Sequence, residues 1–145
     1  MSILLQFEKN IELASVAFLK ANELNAHPGR AISTISRNSI EVIFEYGGAM
    51  EEPRQTRAGH IEYSAHEGTI SLLISTTREQ ENNHNQTLGQ VRKLFLNGNN
   101  GLAVNGYTFL DLLPLGSITT EQEDGNQDAT VLQYTLKFTI DLTTI

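Results

Sequence analysis

The chain has 145 residues, of which 39% are hydrophobic and 19% are charged, so its composition is that of a globular protein and excludes the disordered and fibrous classes. This length fits a single domain, residues 1–145, that can bury a hydrophobic core. The lack of cysteine excludes disulfides, thiolate catalysis and cysteine-ligated metals, and the formal net charge of −7 disfavours stable binding to nucleic acid or anionic lipid.

The first predicted element is an amphipathic helix from Ser2 to Lys20. Its apolar residues recur at steps of three and four, as on one stripe of a helix, and they are Ile3, Leu4, Phe7, Ile11, Ala14 and Phe18. Ser2 is the expected N-cap, and Pro28 disfavours continuation of the helix. The apolar run at the start is interrupted by Gln6 and Glu8 and has no basic leader, so we expect neither a signal peptide nor a membrane span there.

The next segments predict strands. SIEVIFEY, at residues 39–46, alternates as a strand with one buried and one solvated face does. The polar, glycine-rich stretch from Gly47 to Gly59 predicts a long exposed loop. Alternation on both sides of AHEG, at residues 65–68, predicts a β-hairpin whose second strand carries Ile70, Leu72 and Ile74 on one face.

A second helix is predicted from Asn83, which together with Gln86 resembles a weak capping box, to about Asn97. The helix is followed by Asn105-Gly106, a dipeptide that favours a type I′ hairpin turn. Further strand structure is expected after this turn.

The strand after the turn should run from about Phe109 to Thr120, and Pro114 confines part of it to a sheet edge or a bulge. The closing segment VLQYTLKFTIDL, at residues 131–142, alternates almost without interruption. One face carries Leu132, Tyr134, Leu136, Phe138, Ile140 and Leu142, and the other carries Gln133, Thr135, Lys137, Thr139 and Asp141. This order of elements predicts an α+β fold, in which two helices pack on one face of a mostly antiparallel sheet of about four to six strands.

No catalytic or cofactor motif is evident, so we expect a protein that is not an enzyme and has no cofactor or metal site. The histidines share no ligand spacing and are interpreted as surface residues; they are His27, His60, His66 and His84. Asp124, Asn126 and Asp128 match the first half of a calcium loop, but Ala129 and Thr135 stand where Gly and Glu are needed. A solvated hairpin turn is therefore favoured over a calcium site.

The order of elements, the helix HNQTLGQVRKLFLNG at residues 84–98 and the closing LQYTLKFTIDL at residues 132–142 resemble the tail terminator proteins of tailed bacteriophages, also called the minor tail or tail completion family. The resemblance covers most of the chain in pattern. It implies a non-enzymatic structural protein that forms a homo-oligomeric ring of six subunits, caps the tail tube, ends tube polymerisation and provides the head-joining surface.

The same resemblance implies where the protein acts and what it contacts. Its partners would be further copies of itself, the tail tube protein and the head-tail connector protein, with no membrane and no sequence-specific nucleic acid. It would be assembled in the host bacterial cytoplasm and would reside in the virion tail. Subunit contacts are expected from the charged loop between Gly47 and Gly59, at Met50, Glu51, Glu52, Arg54 and Arg57.

Three alternatives stay open. The charged loop is equally compatible with a solvated segment of a monomer, because exposed ion pairs contribute only about 0–1 kcal/mol each. A second function is that of a small protein-binding adaptor that uses an exposed sheet edge. A third is that of a metal- or ligand-binding module that uses the acidic turn.

Overall fold

A computed structural model describes residues 5–29, 39–49, 63–77, 81–96, 101–121 and 127–141. Within these ranges the elements are α1 (Phe7–Ala21), β1 (Ala26–Pro28), β2 (Ser39–Ala49), β3 (Tyr63–Thr77), α2 (Glu81–Leu96), β4 (Tyr107–Glu121) and β5 (Gln127–Asp141). The strands form a sheet in the order β1-β2-β3-β5-β4. The β1–β2 pair is parallel, and every other neighbouring pair is antiparallel.

Both helices pack on the same face of the sheet. Phe7 of α1 lies against Phe138, with ring centroids 5.6 Å apart. Phe95 of α2 lies against Tyr134, with ring centroids 5.0 Å apart. Tyr134 and Phe138 are four residues apart in β5, and they therefore project from the same side of the sheet. The predicted α+β fold is confirmed, and we call the opposite side of the sheet the helix-free face.

The two faces of β5 are also as predicted. The face toward the helices is at most 4% exposed and consists of Leu132, Tyr134, Leu136, Phe138 and Ile140. The helix-free face is half-buried and carries Gln133, Thr135, Lys137 and Thr139. Burying one large apolar side chain stabilises the fold by about 1.5–3 kcal/mol, so alternation along this strand decides which face the helices cover. Leu142 lies outside the described residues.

The helix α1 differs from its prediction in its first residue and in which of its side chains are buried. It begins at Phe7 with Gln6 at the cap position, and the predicted cap Ser2 lies outside the described residues. Its buried residues are Phe7, Ile11, Glu12, Ser15, Val16 and Leu19. Phe18, predicted on the buried stripe, is only half-buried because it faces α2, where its ring lies 5.8 Å from that of Phe95. Ala14, also predicted on the stripe, is half-buried as well, and Val16 and Leu19 are buried instead.

β3 is one continuous strand, so the hairpin predicted around AHEG is wrong. It pairs with β5 along its whole length, from Tyr63 opposite Asp141 to Thr77 opposite Gln127. Gly68, interpreted as a turn residue, lies within the strand. A Cβ atom at this position would collide with the Phe44 ring and would lie 2.6 Å from the carbonyl oxygen of Glu45. The glycine therefore permits close packing between β2 and β3.

Two further elements, β2 and α2, have boundaries that differ from the predicted ones. β2 continues to Ala49 through a register shift between Tyr46 and Gly48, so the predicted loop does not begin at Gly47. The φ of Gly48 is 118°. The positive φ explains why glycine occupies that position. α2 begins at Glu81, so Asn83 lies inside the helix and is not its cap.

The turn at Asn105-Gly106 forms, but it is not a type I′ hairpin turn. The N–H of Tyr107 donates to the carbonyl oxygen of Val104 at 3.1 Å, which closes the turn. Of the two central residues only Gly106 has a positive φ, at 85°, whereas type I′ requires positive φ at both. The turn leads from the irregular segment before it into β4.

Candidate assembly surface

The residues predicted to form subunit contacts, Met50, Glu51, Glu52, Arg54 and Arg57, lie outside the described residues, and their role stays a prediction. His60, Asp124 and Asn126 also lie outside the described residues. Asp128, the third residue of the calcium-loop pattern, belongs to β5 and pairs with Glu121 of β4. Within the described ranges, no group of three or more His, Asp and Glu residues is arranged to hold a metal ion.

β4 is an edge strand of the described sheet, and it pairs with β5. Its register shifts twice, between Phe109 and Asp111 and between Pro114 and Gly116. Proline lacks an N–H to donate to a ladder, and an edge strand with a local irregularity accommodates it. The position predicted for Pro114 is confirmed.

The same strand exposes a row of leucines. Leu110, Leu113 and Leu115 are 47%, 51% and 58% exposed. Leu113 and Asp111 pair with Thr135 and Lys137, which lie on the helix-free face. We call Leu110, Asp111, Leu113 and Leu115 the β4 patch. An apolar edge strand of this kind is a template for association with another chain.

The sequence itself contains a signal for the β4 patch. Leu112 and Leu113 are adjacent in the strand, and side chains of adjacent strand residues point to opposite faces. Leu112 is 8% exposed and completes the core, so Leu113 must lie outside it. A pair of adjacent leucines beside Pro114 therefore indicates an apolar residue on the outer side of an edge strand.

A row of alternating charges crosses the helix-free face beside the β4 patch. Glu67 of β3 stands opposite Lys137 of β5, and Lys137 stands opposite Asp111 of β4. Opposite charges on directly opposed residues of neighbouring strands contribute about 0.2–1 kcal/mol per pair. Lys137 therefore lies between two acids, and the rim of the β4 patch is polar.

A second apolar surface lies where α1 meets β1. It is a groove of about 570 Å³, lined by Leu5, Gln6, Glu8, Lys9, Glu12, Leu13 and Pro28. Leu5 and Leu13 are 50% and 48% exposed. We call this surface the α1 groove. Since β1 and β4 are the two edges of the described sheet, the α1 groove and the β4 patch involve opposite edge strands.

Glu12 is only 3% exposed, although it lies in the groove lining. Its Oε2 accepts a hydrogen bond of 2.9 Å from the N–H of Phe44 in β2. The β1–β2 pairing ends with Pro28 opposite Val42, so at Phe44 the carboxylate takes the place of a neighbouring strand's carbonyl. The carboxylate of Glu12 therefore points at the part of β2 that lies beyond its pairing with β1. In the sequence, Glu12 follows Ile11 of the apolar stripe, and this position indicates that its carboxylate is close to the core.

The prediction that the histidines are surface residues is wrong for two of them, His66 and His84, which are buried. His66 and His84 are 7% and 5% exposed, and His27 is half-buried. His84 is held between two threonines, with Nδ1 2.8 Å from Thr76 Oγ1 and Nε2 2.8 Å from Thr130 Oγ1. These bonds join α2 to β3 and β5. His84 is therefore a structural core residue.

His66 lies in the aromatic part of the core. Its Nδ1 is 2.6 Å from the hydroxyl oxygen of Tyr46, and its ring stacks on Phe138 with centroids 5.5 Å apart. Its Nε2 is buried and has no hydrogen-bond partner among the described residues. Burial lowers the pKa of the imidazole below its ordinary value of 6.5, because a charged ring loses solvation there.

We expect the free energy of unfolding to fall as the pH drops below about 6.5, because unfolded His66 then binds a proton that the folded state disfavours. The variant His66→Phe should lose this part of the pH dependence. Tyr46→Phe is the control, since it removes the hydrogen bond and keeps the imidazole. Urea unfolding at about pH 7.5 and about pH 5.5 measures the difference. An unchanged pH slope in His66→Phe contradicts the prediction.

The sequence matches no protein-family model, and no curated protein is significantly similar to it. Neither described helix is long and apolar enough to span a membrane.

Proposed function

We propose that the chain is a structural subunit of a phage or phage-like tail, a terminator that assembles into a closed ring on the end of the tail tube. The ring contains six copies, ends tube polymerisation and presents the surface that joins the head. Its contacts are with other copies, the tail tube protein and the head-tail connector. The order of elements and the alternating closing strand support this function by resemblance to tail terminators.

The observation that carries the proposal is β4, an edge strand of 15 residues with three exposed leucines. Burial of apolar surface contributes about 25 cal/mol per Å², so exposed leucines grouped on one strand favour association. Pro114 and the two register shifts disfavour regular strand addition along the whole edge. The contact therefore relies on side chains of the β4 patch more than on a continuous backbone ladder.

The charge of the chain suits this role. Each copy has a formal net charge of −7, and a ring of such copies concentrates negative charge around its opening. Phosphate backbones are repelled by that field. A ring of this kind lets DNA pass through a tail without binding it.

The double variant Leu113→Lys/Leu115→Lys is expected to abolish ring formation, because lysine on an exposed edge opposes association. The wild type should sediment at about six times its mass of 16.1 kDa, and the variant should sediment as a monomer. The matched control is Leu96→Lys, at a leucine that is 72% exposed at the end of α2, and it should still form rings. Circular dichroism checks that all three proteins are folded.

A protein-binding adaptor is the second candidate, because the same exposed β4 edge could bind a segment of a different protein. Native mass separates the two functions. Rings of the wild type in negative stain favour the terminator, whereas a monomer that persists at high protein concentration contradicts the ring and favours the adaptor.

A further inference from the structure

We propose that the β4 patch of each subunit docks into the α1 groove of the next copy, so that one head-to-tail contact repeats around the assembly. This inference rests on the proposed ring and names its contact surfaces. Closed rings with more than two copies are built from heterologous contacts, in which each subunit offers two different patches. The occupant of the α1 groove is therefore a second copy of this chain.

The distribution of exposed apolar residues supports this pairing. The exposed large hydrophobic residues of the described ranges are Leu5, Leu13, Leu96, Leu110, Leu113 and Leu115. All except Leu96 belong to the α1 groove or to the β4 patch. These two surfaces involve opposite edge strands of the sheet, so one copy does not bury them against each other. Two copies bury one of each in a single contact.

The pattern of charge on the two surfaces is complementary. Lys9 and Leu13 are one helical turn apart in α1, about 6 Å along its axis, and Leu5 lies just before the helix and lines the same groove. The groove therefore carries a positive charge beside two exposed leucines. On β4, Asp111 is the only charged residue between Tyr107 and Gly116. Docking brings this acid to Lys9, the one basic residue among the described residues that line the groove.

The remaining charges do not oppose this arrangement. The carboxylate of Glu12 is buried and bonded to the N–H of Phe44, so it is directed away from an incoming strand. Glu8 is exposed on the groove lining, and Lys137, beside Asp111, supplies a charge of opposite sign for it. The groove volume of about 570 Å³ is within the range of about 300–1,000 Å³ typical of ligand pockets, so it has room for leucine side chains.

A mixing experiment tests whether these two surfaces meet each other. One chain carries Leu113→Lys/Leu115→Lys and the other carries Leu5→Lys/Leu13→Lys, and each alone is expected to be monomeric. Mixed in equal amounts, they should form a heterodimer and nothing larger, because only one intact β4 patch and one intact α1 groove remain. Native mass spectrometry measures this directly. A mixture that stays monomeric overturns the pairing.

Charge reversal gives a second, independent readout. Lys9→Glu and Asp111→Lys should each weaken association about fivefold or more, and the double variant should recover most of the wild-type affinity. Sedimentation equilibrium gives the affinities, and thermal unfolding checks that each variant is folded. A double variant no tighter than either single variant overturns the contact between Lys9 and Asp111.

The outcomes separate the inference from the proposed function. If the wild type forms rings and Leu5→Lys/Leu13→Lys also forms them, the ring stands and the α1 groove is excluded as its contact. If the wild type is monomeric at every concentration tested, both the ring and the contact are wrong.

Discussion

Replacing Phe138 by alanine is expected to lower the free energy of unfolding by about 3–5 kcal/mol, which makes it the most damaging of the single substitutions. Phe138 is 0% exposed and lies at the centre of the sheet's inner face. Its ring contacts five others, those of Phe7, Phe44, His66, Tyr107 and Phe109. Truncation removes contacts with α1 and three other strands at once and leaves a cavity among them.

The matched control for this substitution is Phe109→Ala. Phe109 is only partly buried and packs at the periphery of the same core, so its loss should be smaller. Urea unfolding followed by circular dichroism measures both variants, at concentrations where the chain is monomeric because association couples stability to concentration. A loss for Phe138→Ala no larger than that for Phe109→Ala contradicts the central position assigned to Phe138.

Gly68→Ala should be the second most damaging change, with a loss of about 1–3 kcal/mol from overpacking. The added methyl group would overlap the Phe44 ring and would lie 2.6 Å from the carbonyl oxygen of Glu45. A backbone oxygen inside a paired sheet cannot move away without breaking the β2–β3 register. Thermal unfolding detects the loss as a lower midpoint.

Gly89→Ala is the matched control for Gly68→Ala, and it should change stability in the opposite direction. Gly89 lies in α2 and is exposed, and beyond its chain neighbours and its own helix backbone no described atom lies within 4 Å of the position that a Cβ would take. Alanine favours a helix interior over glycine by about 0.5–1 kcal/mol, so this variant should be more stable. If both alanine variants lose stability equally, close packing at Gly68 does not explain the stability loss of Gly68→Ala.

The assembly surface was only partly predictable. Pro114 predicted an irregular edge strand, and the structure confirms it, because the missing N–H of proline is a local property. The leucines of the β4 patch could not be assigned to a face from the sequence, since which of Leu112 and Leu113 reaches the core depends on the register with β5. The α1 groove forms only where α1 packs against β1. Leu5 and Leu13 are distant from Pro28 in the chain, so the local sequence pattern does not show that they line one groove.

The burial of polar residues was the least predictable feature. His66 and His84 were interpreted as surface residues because a charged or polar residue is usually solvated, and the structure buries both. His84 is buried because Thr76 and Thr130 bond to its ring, and those partners come from β3 and β5. When the hydrogen-bond partners of a buried polar side chain come from distant segments, the spacing of residues in the sequence does not reveal them.

The amino-acid sequence by itself determined the fold class, the existence of both helices and the buried face of β5, because side chains alternate with a period of two whatever the neighbouring strand is. Only the tertiary structure decided the order β1-β2-β3-β5-β4, the role of Gly68 in packing and the bond from Glu12 to the edge of β2. Alternation assigns a face to each residue but not a neighbour, and every one of those features depends on which distant segment lies alongside.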